Sequence, residues 1–140
     1  MKWTAVAVPA VLAATILAPA ASANMTVSNT AGNVRCEVVT LQDGRTNTIC
    51  VSDTARQTQP ECNPPEHLIP AIEIGPGYVG RKCWNQGFED APHPMQTMQV
   101  RSHGSAHVLQ GFSGNLYVLD TARMALVRAG SANTVLFSLF

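Results

Sequence analysis

Four cysteines, four histidines, one serine in a GFSGN setting and one adjacent pair of carboxylates are the side chains whose types and spacing could do chemistry in this 140-residue chain. Zinc and thiol redox sites bring cysteines together in CxxC-like pairs. Here Cys36, Cys50, Cys62 and Cys83 stand a dozen or more residues apart, so the four read as a disulfide framework. His103 and His107, four apart in RSHGSAH, are the one histidine pair with a metal spacing. That spacing serves a metal on a helix, and Gly104 and Ser105 oppose helix, so a solvated strand face shared with Arg101 and Ser105 is expected instead. His67 and His93 lie in proline-rich stretches without ligand spacing. Neither a metal nor another cofactor is expected.

Ser113, in Gly111 to Asn115, approaches the nucleophile-elbow pattern G-x-S-x-G but has Asn115 at the second glycine. An elbow also needs a helix after it and a downstream histidine, and no histidine follows Ser113. Glu89-Asp90 read as a solvated turn, and the Asn24-Met25-Thr26 sequon falls at the expected mature N-terminus. No catalytic residue is assigned.

The first 23 residues, MKWTAVAVPAVLAATILAPAASA, have the layout of a secretory signal peptide: Lys2, an apolar run from about Ala5 to Ala18, and a small-residue triplet Ala21-Ser22-Ala23. The run is shorter than the roughly 20 residues of a spanning helix, and Pro9 and Pro19 interrupt or bound it. Cleavage after Ala23 is expected, leaving residues 24–140 as one secreted domain without a membrane span. No cysteine follows the cleavage site to accept a lipid, and TVLFSLF carries no sorting motif with a basic tail, so a released product is expected. A single domain of this size buries about two thirds of its unfolded surface. Charged residues are 13% of the chain, against about 25% in an average protein. With a formal net charge of zero and no basic cluster, nothing steers the chain to nucleic acid.

The elements that must position these groups are strands. Met25–Ser28, Val34–Leu41, Thr46–Ser52, Ala71–Ile74, Tyr78–Trp84, Met95–Val100, Leu116–Leu119 and Thr134–Leu139 are short β-branched or alternating runs between Gly- and Pro-rich punctuation. They predict an all-β fold, a small antiparallel sandwich or open barrel. Asp120 to Gly130 fits a turn at Asp-Thr-Ala followed by a strand, and alternatively a capped helix. Asp-Thr-Ala-Arg occurs at Asp53–Arg56 and again at Asp120–Arg123, which we read as a strand-ending aspartate bonding its own backbone, used twice. Residues 54–70 hold four prolines and residues 85–94 two more; both read as loops over the sheet. Leu68, Ile69, Tyr78, Trp84 and Phe88 in and beside them form a candidate binding patch, or else pack the loops down.

The segment GNVRCEVVTLQDGRTNTIC fixes a register. A two-residue Asp43-Gly44 turn would place Cys36 and Cys50 on opposite faces of the sheet. A three-residue Gln42-Asp43-Gly44 loop with Gly44 left-handed puts Cys36 opposite Cys50, with Cα atoms about 4.5 Å apart at a non-hydrogen-bonded pair. In that register Val39, Leu41, Ile49 and Val51 share what reads as the core face, and Cys36, Val38, Thr40, Thr46, Thr48 and Cys50 form a mixed face closed by the disulfide. Cys62 is then left for Cys83, pinning the proline loop to the strand YVGRKCW. Each closure contributes about 3 kcal/mol on the chain-entropy model.

VSNTAGNVRCEV, TICVSD, QPEC and GPGYVGRKC, over residues 27 to about 100, resemble a small secreted actinobacterial domain of unknown function that starts F-x-S-P-S-G-N-I-x-C. All four cysteines fall in matching order; the family's later cysteine pair and the proline of S-P-S-G are missing here. The resemblance implies a secreted, disulfide-bonded β domain and brings no activity. The functional expectation is a non-catalytic extracellular or envelope binding module with an unidentified protein or envelope partner. Alternatives are a hydrolase inhibitor presenting residues 54–70 and a hydrolase with a cleft around His103, His107 and Ser113.

Overall fold

The register of the first hairpin organises one half of the molecule. In the computed structural model, which describes residues 24–88 and 90–139, Cys36 pairs with Cys50 and Thr40 with Thr46. The Leu41 amide donates to the Arg45 carbonyl at 2.8 Å and the Gly44 amide to Leu41 at 3.0 Å, closing the three-residue loop with Gly44 at φ 85°. Gly44 takes this left-handed conformation without the steric cost any Cβ would bring. The Cys36–Cys50 Cα distance is 4.0 Å, and the second bond joins Cys62 to Cys83 at 5.3 Å. The expected signal peptide and Glu89 lie outside the described residues.

Strands β1 (Asn24–Ser28), β2 (Val34–Thr40), β3 (Thr46–Ser52), β4 (Ile69–Gly75), β5 (Tyr78–Trp84) and the two-residue β6 (His93–Pro94) form one sheet in the order β5-β4-β3-β2-β1-β6. Strands β7 (Val100–His103), β8 (Ala106–Gln110), β9 (Leu116–Asp120), β10 (Ala125–Ala129) and β11 (Thr134–Ser138) form the other, in the order β11-β10-β9-β8-β7. All pairings are antiparallel except β1 with β6. The second sheet is a meander, as is the first from β1 to β5, with β6 crossing over to lie beside β1; the two pack face to face through one apolar cluster with Val27, Val38, Ile72 and Ile74 on one side and Val108, Leu116, Val118 and Val127 on the other. Among the described residues no helix is long and apolar enough to cross a membrane.

Several expectations change. The face that meets the second sheet is the one bearing Cys36, Val38 and Cys50, not the one bearing Val39 and Ile49. Both faces of β2 and β3 carry β-branched residues, so local alternation cannot decide which is inward; the disulfide is itself core. Ile49 and Val51 instead join Ala71 in a satellite cluster on the outer face, covered by Ile69, Trp84 and Phe88. The predicted Met95–Val100 strand is irregular through Gln99: Met98 has φ 66°, which breaks the pleat, and the strand proper begins at Val100. Strand β4 starts at Ile69, so Pro70 lies inside it. The β3 ladder ends at Ala71, so the missing amide of Pro70 interrupts no bond to β3. Asp120–Gly130 is the turn followed by a strand, β10.

Candidate functional site

One end of the sandwich is where the β1–β2 turn, the 3-10 helix Asp53–Ala55, the β8–β9 turn and the β10–β11 turn meet. They surround an open cavity of about 440 Å³, within the roughly 300–1,000 Å³ usual for ligand sites. Its floor is built from buried amides. Asn29, 3% exposed, donates Nδ2 to Asn33 Oδ1 at 2.8 Å and to the Gly114 carbonyl at 2.9 Å, and accepts the Asn33 and Val34 amides on Oδ1 at 3.1 and 3.2 Å. One side chain thereby locks the β1–β2 turn and ties it to the β8–β9 turn across the two sheets.

Gln110, 2% exposed, does the same for the other wall. Its Oε1 accepts the Thr30 amide at 2.8 Å and its Nε2 donates to Thr30 Oγ1 at 2.9 Å, while Thr30 Oγ1 donates to the Met95 carbonyl at 2.7 Å. Ser52 Oγ donates to Gly130 at 2.6 Å, Thr58 Oγ1 to Ser131 at 2.8 Å, and Asn133 Nδ2 to Gln59 Oε1 at 2.7 Å. These bonds fix every loop of the rim to the opposite sheet or to its neighbour. The Asn115 carboxamide lies over Gly130 so closely that a side chain there would collide with it.

Above this floor the groups change character. Among the described residues the Ser113 and Ser131 hydroxyls and the Asn115 carboxamide have no hydrogen-bond partner, and Asn33 spends only its oxygen. Phe112, 85% exposed, stands on the rim. None of the residues lining the cavity is charged. Two charges adjoin lining residues in sequence, Arg35 after Val34 and Asp53 before Thr54, and they pair with each other at 3.4 Å.

The opposite end is closed. Asp120 is fully buried: Oδ2 accepts Thr46 Oγ1 at 2.7 Å, and Oδ1 accepts Ser105 Oγ at 2.9 Å and the Ala122 and Arg123 amides at 3.0 Å each. Burial pushes the carboxyl pKa up, but the bonds from Thr46, the Arg123 amide, Ser105 and the Ala122 amide together outweigh it and hold it below the usual carboxylate value. Arg123, 2% exposed, donates Nε to the Thr46 carbonyl at 2.9 Å, and its Nη2 is buried without a partner.

The histidine and serine candidates scatter, while three residues of the candidate patch come together. His103 bonds Thr40 at 2.8 Å at the closed end, and His107, on the next strand rather than the same one, bonds Ser102 at 2.7 Å. The turn at Gly104 separates them, so the shared strand face with Arg101 and Ser105 does not form. Ser113 is at the open end, away from both histidines. Among the described residues no three of His, Cys, Asp and Glu gather where a metal could be held. Ile69, Trp84 and Phe88 pack on the satellite cluster, Lys82 Nζ lies 5.4 Å from the Trp84 ring centre, Tyr78 bonds the Arg81 carbonyl, and the Leu68 carbonyl takes Arg56.

Sequence reasoning missed the open end. One signal was present: Ala31-Gly32-Asn33 and Ser113-Gly114-Asn115 repeat a small-Gly-Asn turn, with both glycines left-handed at φ 79° and 83°. In each turn the asparagine lines the cavity. No family model, curated protein or solved structure matches the chain.

Proposed function

We propose that the protein is exported and acts as a non-catalytic binding module, with the open end of the sandwich as its recognition surface. The observation that carries this reading is the contrast within the cavity: a floor of fully bonded buried amides under a rim of unpaired polar groups and one bare phenyl ring. A rigid frame presenting unspent hydrogen-bonding capacity is pre-organised for a ligand, which lowers the ordering entropy lost on binding. Loops on a fixed scaffold are where recognition usually resides. Two disulfides with no free cysteine, the leader-like N-terminus and the resemblance to a secreted domain all favour the extracellular setting.

The reading is tested by expressing the full chain in an exporting host and capturing partners from medium and envelope fractions. Recovery of the protein outside the cell, with a partner retained by wild type and lost on Phe112→Ala, is expected. Retention in the cytoplasm, or a partner indifferent to every rim substitution, would refute it.

One observation favours a second reading, inhibition of a hydrolase by the proline loop. Cys62–Cys83 and the Arg56 guanidinium, bonded to the Leu68 carbonyl at 2.8 Å and the Pro65 carbonyl at 3.1 Å, stiffen that loop, and residues 63–67 are exposed. Screening the mature protein against secreted proteases separates the two.

A further inference from the structure

Resting on the open end as a binding site, we propose that its ligand is a neutral glycan, held by hydrogen bonds from Asn33, Ser113, Asn115 and Ser131 with one sugar ring stacked on Phe112. The chemistry of the rim selects it. Lysine offers only donors and an ionised carboxylate only acceptors, whereas an amide or a hydroxyl offers both. A sugar hydroxyl also donates and accepts, so a rim made only of amides and hydroxyls matches a row of hydroxyls group for group.

Charged ligands fit poorly. The cavity lining has neither a cation for phosphate, sulfate or uronate nor a carboxylate for an amine, and the two charges beside it, Arg35 and Asp53, are engaged with each other. Nucleic acid would need several cations along its track. Drug-like apolar ligands need a greasy pocket, and here Val34 is almost wholly buried while Ala31 adds only a methyl group.

A peptide is the other neutral polymer with alternating donors and acceptors. It binds best by adding a strand to an open sheet edge. The cavity walls are turns at the end of the sandwich, and the edge strands are β5, β6, β7 and β11. Phe112 completes the choice. A large ring left 85% exposed on a turn held by the Gly111–Asn115 bond at 2.9 Å is a flat apolar platform presented at the rim. A pyranose presents a C–H face ringed by hydroxyls, apolar against the ring and polar toward Asn115, Ser113 and Asn33.

The test uses protein from the full chain expressed in an exporting host, applied to a glycan array carrying neutral and acidic oligosaccharides, then titrated by 1H–15N NMR with the best neutral binder and with a neutral Gly/Ser/Asn decapeptide. Binding to neutral glycans is expected, with amide shifts confined to residues 29–33, 111–115 and 131. Phe112→Ala should weaken it about tenfold while Phe112→Trp retains it. Glycan binding that maps elsewhere or prefers acidic sugars overturns the proposal. No glycan binding, with the decapeptide shifting these same amides, overturns the ligand class and keeps the recognition surface. If both probes fail and the captured partner leaves these amides unshifted, the site itself is refuted.

Discussion

The two ends of the sandwich are entered through the same tetrapeptide and end up with opposite properties. Asp53-Thr54-Ala55-Arg56 follows β3 at the open end, and Asp120-Thr121-Ala122-Arg123 follows β9 at the closed end. Asp120 turns inward onto Thr46 and Ser105 and bonds its own turn, as a strand-ending aspartate is expected to. Asp53 turns outward, its side chain 44% exposed, and pairs with Arg35. Arg123 is buried across the sheets, whereas Arg56 reaches sideways to brace the proline loop. The tetrapeptide specifies a turn; what the turn's charges do depends on whether the facing sheet offers hydroxyls. Thr46 of the facing sheet does so for Asp120, whereas Asp53 takes the Arg35 guanidinium of its own sheet.

The largest expected break in this contrast is Asp120→Ala. It orphans four donors at once, the Thr46 and Ser105 hydroxyls and the Ala122 and Arg123 amides, so it should cost about 3–5 kcal/mol, whereas Asp53→Ala, which loses one exposed ion pair, should cost no more than about 1 kcal/mol. Urea midpoints of the two variants check this; equal losses would erase the distinction between the ends.

Each disulfide comes next, at about 3 kcal/mol on replacement by a serine pair. Because Cys36–Cys50 is interior to the sheet contact and Cys62–Cys83 anchors a loop, proteolysis within residues 54–68 should accelerate in the second variant more than in the first.

Asn29→Ala follows, at about 1–3 kcal/mol for the buried groups it leaves unpaired. It should loosen the open end, read as faster amide exchange at residues 30–34 and 112–115 with the Asp120 turn unaffected.

Acid sharpens the comparison further. The Asp120 pKa is depressed in the folded state, so its stabilisation is complete above its unfolded value near 3.8 and is lost as pH falls from there through the folded value. Midpoints measured from pH 6 down to pH 3 should fall for wild type, and less steeply for Asp120→Asn.

The smallest effect on stability belongs to Phe112→Ala, within about 0.5 kcal/mol, since an 85% exposed ring contributes little to folding.

Legibility in the sequence followed the range of the interaction. The hairpin, its three-residue loop and Cys36 opposite Cys50 were readable because turn chemistry and period-two alternation are local. The inward face was not, since it depends on a second sheet whose strands begin some fifty residues later. Met98 looks like strand in the sequence because a positive φ at a methionine leaves no trace in residue type. The open end was hardest: Asn29 and Gly114, bonded in space, are 85 residues apart in sequence. Its one local trace, the repeated small-Gly-Asn turn, overlaps a cysteine motif in one copy and a nucleophile-elbow pattern in the other.

The division between a structural end and a recognising end is tested most directly by the neutral-glycan affinity of Phe112→Ala, measured beside its urea midpoint. An affinity about tenfold weaker at an unchanged midpoint is the expected result. Unchanged affinity, or a midpoint that falls together with it, would contradict the assignment of the open end to binding.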